Sequence, residues 1–178
     1  MMVKKHFLWM AALAAVLATA AGLRADVGWG SDPKQPSVGV EPIERVTLAA
    51  GRSAKVPVRF RLTKGFHVNS NLPKSDLLIP TVFTLKADSP HLAARVRYPK
   101  GEDIAFPFAP EEPLNVYTDE FTMIVDLKAA AAIGPGEYTV SGELKYQACN
   151  DRACFPPKSV PVEFKVAVEK AAKVATRR

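Results

Sequence analysis

Cysteine and histidine are scarce: the 178 residues hold two cysteines, Cys149 and Cys154, and three histidines. Structural zinc takes four ligands, and catalytic zinc three with an open position. Beyond the first 25 residues the only histidines are His67 and His91, with no finger-like spacing to the cysteines, so no metal site is expected. Gly-x-Ser-x-Gly elbows, phosphate loops and dinucleotide fingerprints are absent. Those absences remove the common signatures of serine hydrolases and nucleotide-binding proteins, and no cofactor is expected.

An excess of positive charge is also missing where it would matter. The formal net charge is +6, but Lys4, Lys5 and Arg24 lie in the first 25 residues, and residues 169–178 carry four basic side chains against one acid. Residues 26–168 keep 17 basic and 17 acidic side chains. A protein that grips phosphate backbones concentrates positive charge on its folded body, so nucleic acid is not an expected partner. The basic tail reads as a solvated terminus.

A long apolar run occurs once, at residues 7–23, after Lys4 and Lys5 and before small residues around Ala25. This is the layout of a secretory signal peptide cleaved after Ala25, with Ala20 and Ala21 as alternative sites. The alternative is an uncleaved anchor, although 17 apolar residues fall short of the roughly 20 that span a bilayer. Membrane contact is thus expected only through partners or through an uncleaved signal. No cysteine follows the run, so a lipoprotein anchor is not expected. Either way, residues 26 onward face an oxidising space in which disulfides persist.

What is present is alternation. Val56, Val58, Phe60 and Leu62 alternate with Lys55, Pro57, Arg59 and Arg61, the pattern of a half-buried strand. Phe121, Met123, Val125 and Leu127 repeat it, as do Tyr138, Val140, Leu144 and Tyr146, with Gly142 in the same register. Val160, Val162, Phe164, Val166 and Val168 form a last strand, in which Pro161 points to an edge. Weaker strands are expected at residues 43–48, 66–70, 81–87 and 92–98. The one helical stretch, 127–133, is too short to organise a fold. Seven to nine short strands between turn signals predict an all-β antiparallel sandwich of immunoglobulin-like topology, with a small Greek-key barrel as the alternative. The expected organisation is signal peptide 1–25, extended leader 26–40, sandwich domain 41–168 and basic tail 169–178.

Residues 101–118 read as a long loop, with Pro107, Pro110 and Pro113, four acids, and the aromatics Phe106 and Phe108. Long loops in compact sandwiches are often functional. The two phenylalanines either tuck into the core or cover something.

Cys149 and Cys154 share one loop, Tyr146-Gln147-Ala148-Cys149-Asn150-Asp151-Arg152-Ala153-Cys154-Phe155-Pro156-Pro157. Closing a loop of about six residues is worth roughly 2 kcal/mol in the chain-entropy model, against about 4.7 for about a hundred. Such a bond staples little, which favours a chemical role; the competing reading is a structural hairpin-loop disulfide in an exported binding module. Exchange needs an accessible sulfur and a second within reach, and this loop supplies both. Arg152 favours a thiolate and Asp151 opposes it.

The pattern Tyr146-Gln147-x-Cys149, four residues, Cys154, then Phe155-Pro156-Pro157 resembles the active-site loop of the N-terminal domain of the DsbD family. The run from Lys64 through Gly65-Phe66-His67-Val68-Asn69-Ser70 to Asn71, with Leu78-Ile79-Pro80-Thr81, supports the resemblance, which spans roughly residues 40–168. Some members place five residues between the cysteines rather than four. The resemblance implies a periplasmic immunoglobulin-like domain acting as part of a protein-disulfide reductase. Its cysteine pair would take reducing equivalents from a thioredoxin-like protein or domain. It would pass them to acceptors such as disulfide isomerases or cytochrome c maturation thioredoxins. The resemblance also implies a cap whose aromatic shields the pair, here Phe106 or Phe108. Tyr146, Arg152, Phe155, His67 and Asn69 would flank the site, His67 and Asn69 standing near where the family has tyrosines. Full-length members continue into a membrane domain and a thioredoxin-like domain; the expected membrane thiol reductase therefore acts in trans.

Overall fold

The computed structural model describes residues 36–171. The expected signal peptide, the expected leader up to residue 35 and the end of the expected tail lie outside the described residues. Twelve strands and no helix make up the described chain. One four-stranded sheet runs β1 (Val38–Val40), β3 (Ser53–Leu62), β9 (Glu120–Ala129), β6 (Leu92–Arg97). A second runs β2 (Val46–Ala49), β12 (Lys158–Glu169), β10 (Gly136–Tyr146), β5 (Val82–Ala87). These two form the immunoglobulin-like sandwich. A third, smaller sheet runs β11 (Ala148–Cys149), β4 (His67–Asn69), β8 (Ala109–Thr118), β7 (Glu102–Phe106), and it carries the cysteine loop.

The alternating residues build the core. Val56, Val58, Phe60 and Leu62 of β3 and Phe121, Met123, Val125 and Leu127 of β9 are buried. They face Val140, Leu144 and Tyr146 of β10 and Val162, Phe164, Val166 and Val168 of β12. Phe60 is the centre of the contact: it stacks on Phe121 at 5.3 Å and meets Phe83 of the opposite sheet edge-on at 5.4 Å. Truncating a buried ring of this kind costs about 3–5 kcal/mol. At the sandwich edge, the Tyr98 hydroxyl takes the Phe83 N–H at 2.8 Å and so ties the end of β6 to β5.

Several features depart from the alternation pattern. Residues 38–40, expected in the leader, pair with β3 as β1, and Val38 enters the core. Residues 127–133 continue β9 to Ala129 and then turn, with no helical segment. The β2–β12 pair is parallel, whereas all other ladders are antiparallel. Because β2 reaches only Val166–Glu169 of β12, Pro161 sits on a half of β12 that pairs on one side only, with β10. A proline is tolerated there because its missing N–H faces no ladder partner.

Residues 101–118 are a β-hairpin, not the expected loop: β7 and β8 pair from Glu102↔Val116 to Phe106↔Ala109. Prolines and acids hid the strands; Pro110 and Pro113 of β8 are tolerated because β4 reaches only Val116–Thr118, so they sit where β8 has a neighbour on one side only, at a break in register. Two turns bring this sheet to the sandwich. Gly65, with φ of 83°, turns the chain out of β3 and into β4, a conformation open to glycine without a steric penalty. Asp119, with φ of 45°, turns it from β8 into β9 and offers its carbonyl to the Leu62 N–H at 2.7 Å.

Candidate functional site

The ladder between β10 and β12 runs from Gly136↔Val168 to Tyr146↔Lys158, and the cysteine loop joins the two strands at the Tyr146↔Lys158 end. On leaving β10 the chain swings sideways, and Ala148 and Cys149 pair with Val68 and His67 of β4. It then folds back on itself. The Asn150 N–H donates to the Ala153 carbonyl at 2.9 Å, and the Phe155 N–H to the Ala148 carbonyl at 2.8 Å. The Asn150 side-chain oxygen accepts the Arg152 and Ala153 N–H groups, an Asx turn that tightens the tip. Gln147 Nε2 donates to the Phe155 carbonyl at 3.1 Å. Pro156 and Pro157 follow, residues without an N–H to extend the small ladder.

Inside this loop Cys149 and Cys154 are disulfide-bonded, with Cα atoms 4.0 Å apart. Their surroundings differ sharply. Cys149 is 1% exposed, whereas Cys154 is open to solvent. The difference follows from position: Cys149 pairs with His67 of β4, and Cys154 lies on the returning arm of the loop.

His67 is directly opposite Cys149 in the ladder, and Thr118 of β8 is opposite His67 on its other side. The ring is 3% exposed, and burial lowers its pKa from 6.5 to about 4, because desolvation penalises the imidazolium. Among the described residues, His67 Nε2 and Asn69 Oδ1 are buried side-chain atoms with no hydrogen-bond partner. Asn69 is opposite Val116, and its Nδ2 donates to the Ile79 carbonyl at 3.0 Å.

The hairpin lies over His67. Between Ile104↔Leu114 and Phe106↔Ala109 the register breaks, with residues 110–113 set against Ala105 alone. An irregularity of this kind bends a strand and re-aims its side chains. Phe106 stacks on His67 with ring centroids 4.1 Å apart, and Phe108 stacks on Phe106 at 5.6 Å. The base of the hairpin is held by Asp103, which accepts from Asn115 Nδ2 at 2.6 Å and Lys74 Nζ at 2.7 Å. Those hydrogen bonds, the one from Asn115 foremost, hold its carboxyl below the usual range.

The remaining residues expected at the site are spread around it. Phe155 meets Phe66 edge-on at 5.6 Å. Arg152 is exposed, with Nε 3.9 Å from Asp151 Oδ1. Tyr146 turns into the core, where its hydroxyl accepts the Val38 N–H at 3.1 Å and anchors β1. Phe66 and Thr118 escaped the sequence reading; the run 66–70 flagged a strand but not which neighbours it would meet. Among the described residues no group of three or more His, Cys, Asp or Glu side chains could hold a metal ion.

A family model described as "Thiol:disulfide interchange protein DsbD, N-terminal" matches residues 36–165. No curated protein matches the chain. Among solved structures, the reduced DsbD N-terminal domain of Neisseria meningitidis is 27% identical, over 66% of this chain and 80% of that one, with a TM-score of 0.36. A complex between the DsbD N-terminal and PilB N-terminal domains from the same organism matches at 23% identity, over 75% of this chain and 84% of that one, TM-score 0.37. A type I cohesin from Pseudobacteroides cellulosolvens matches at 15% identity, over 79% of this chain and 97% of that one, TM-score 0.45.

Proposed function

The chain belongs to the family of DsbD N-terminal domains, and from that premise we propose that it relays reducing equivalents by thiol–disulfide exchange at Cys149–Cys154. It would take them from a thioredoxin-like donor and deliver them to periplasmic acceptor proteins. The observation that carries this reading is the unequal exposure of one bonded pair, Cys154 open and Cys149 buried. Exchange begins when a thiolate reaches a disulfide sulfur, and Cys154 is the sulfur a docking protein can reach.

A donor thiolate attacks Cys154 Sγ, the intramolecular bond breaks, and its electron pair leaves on Cys149. The donor's second thiol then attacks the donor sulfur of the mixed disulfide, which frees Cys154 and leaves the pair reduced. In the second half, Cys154 as thiolate attacks the acceptor's disulfide. Cys149 closes on Cys154, and the acceptor departs as a dithiol. Two electrons move in each half.

The fold supports such cycling. Opening a bond that closes about six residues forfeits only about 2 kcal/mol of folding stability in the chain-entropy model, while the sandwich core and the loop's own hydrogen bonds stay in place. Members of this family work in the periplasm, and a signal peptide at residues 1–25 would bring this chain there. Among the described residues no helix is long and apolar enough to cross a membrane. A membrane thiol reductase would supply the electrons.

Equilibration of the full chain with glutathione buffers tests the reading. A moderate midpoint is expected, and one well below about −300 mV would make the bond structural and overturn it. With a thioredoxin-like protein, Cys149→Ser should trap a mixed disulfide through Cys154, and Cys154→Ser should trap little. Replacing both cysteines by serine should abolish exchange; an exported binding module would keep its binding.

A further inference from the structure

We propose that His67 is the proton acceptor for Cys149, taking the thiol proton as Cys149 closes on Cys154 and resolves the mixed disulfide. The proposal deepens the exchange reading above and rests on it. Three observations carry it: His67 and Cys149 are directly opposite in an antiparallel ladder, both are almost fully buried, and His67 Nε2 has no hydrogen-bond partner.

Residues directly opposite in an antiparallel pair project from the same face of the sheet, with Cβ atoms about 4.5–5.5 Å apart. A neutral imidazole has one nitrogen that donates and one that accepts, and a buried polar atom without a partner calls for an explanation. In the oxidised chain the sulfur opposite His67 is bonded to Cys154 and carries no proton. Reduction gives Cys149 the S–H that the ring lacks. The unpartnered nitrogen is thus satisfied in the reduced chain, at the stage where proton transfer is required.

The chemistry needs such a group. The thiolate is the nucleophile, and a thiol buried in apolar surroundings resists ionisation. Solvent reaches Cys154 but not Cys149. Burial keeps His67 neutral at neutral pH and therefore able to accept. Its low basicity holds while no anion faces it. A thiolate within about 4–6 Å favours the imidazolium and raises that basicity. The groups facing His67 are Cys149 from β11, Thr118 from β8 and Phe106 from β7; of these only Cys149 ionises.

The step balances as follows. In the mixed disulfide, Cys154 Sγ is bonded to the acceptor's sulfur and Cys149 holds S–H. The proton passes to His67 Nε2, and the Cys149 sulfur attacks Cys154 Sγ. The Cys149–Cys154 bond forms, and the bond to the acceptor breaks. The electron pair leaves on the acceptor's sulfur as a thiolate, and the imidazolium returns its proton to that thiolate or to solvent. The domain's dithiol is oxidised by two electrons, and the acceptor's disulfide is reduced.

The test uses the reduced full chain and an aromatic disulfide that releases a coloured thiolate. Attack by Cys154 releases the first thiolate, and resolution by Cys149 the second; Cys149→Ser identifies the second phase by losing it. His67→Gln should leave the first phase within about twofold and slow the second about tenfold or more near neutral pH. The gap should narrow as pH rises, because hydroxide then ionises the thiol without the histidine. An unchanged second phase, or both phases slowed alike, overturns the proposal. NMR titration of the unmutated chain gives an answer independent of the variant's folding: His67 should titrate at lower pH in the reduced than in the oxidised form, because the Cys149 S–H hydrogen-bonds the neutral ring, and equal or higher values overturn the assignment. The small disulfide needs no docking, so failure of the relay reading would appear separately, as two intact phases with no exchange toward a thioredoxin-like protein.

Discussion

Phe106 lies nearly face to face with His67, the ring planes 26° from parallel, and Phe108 lies over Phe106 at 11° on the outside of the same stack. The two phenylalanines are therefore not equivalent. Phe106 covers the residue directly opposite the buried cysteine, and Phe108 is 53% exposed and covers only Phe106.

From this order we propose Phe106 as the shield. An aromatic pair is worth about 0.5–1.5 kcal/mol beyond its buried area, so losing the inner ring should shift a local opening equilibrium by roughly two- to tenfold. Phe106→Ala is expected to speed alkylation of reduced Cys149 by that factor, with Cys154 as the internal reference. Phe108→Ala should change it by less than about twofold, since Phe108 stacks on Phe106 and not on the histidine. Peptide mapping of the two labelled cysteines decides the matter. Equal rates in both variants and the parent would remove the cap role.

Burial of His67 also ties stability to pH. Its pKa is about 4 in the folded chain against an ordinary 6.5, so the unfolded chain binds the proton more tightly. Its contribution is intact above about pH 6.5 and is lost as pH falls toward about 4, by up to about 3 kcal/mol. Urea unfolding of the oxidised chain at near-neutral pH and at about pH 4.5 should show that loss. In His67→Gln the same comparison should be flatter by a similar amount. A midpoint shift identical in parent and variant would mean the imidazole titrates freely in the fold.

The long strands were legible because their side chains alternate: β3, β9, β10 and β12 were all marked by apolar residues at every second position, and those positions are the core. The third sheet was not. β4 and β11 are three and two residues long, too short for a period to emerge. β8 carries Pro110 and Pro113, which mimic a loop. The parallel β2–β12 pair joins segments about 120 residues apart in sequence, a contact that local pattern does not encode. At the site, cysteine spacing gave the disulfide, but burial of Cys149 alone depends on β4 beside it. Tyr146, expected to flank the sulfurs, shares its register with Val140 and Leu144, and that alternation correctly points it to the core.

Gly142 offers a test of the sandwich itself, separate from the sulfur chemistry. It is opposite Leu85 of β5 and Val162 of β12, in the middle of an inner strand of its sheet. Glycine in a strand interior ordinarily weakens it, so propensity alone predicts that Gly142→Ala gains about 0.5–1 kcal/mol. The packing argues the opposite. A Cβ at Gly142 would fall 1.9 Å from the Thr84 carbonyl oxygen and 2.9 Å from the Leu85 Cα. Both are backbone atoms of β5, and no rotamer change can clear them. β5 would have to move away, straining its ladder and the Phe83 contact with Phe60. Gly142→Ala is therefore expected to destabilise the chain by at least about 1–3 kcal/mol, the usual range for overpacking. Below its unfolding temperature the variant should keep its rate of thiol–disulfide exchange, because the cysteine loop hangs from the far end of β10 and from β4. A neutral or stabilising result would mean that β5 does not approach β10 this closely, and that the sheet accepts a side chain where the fold leaves room only for hydrogen.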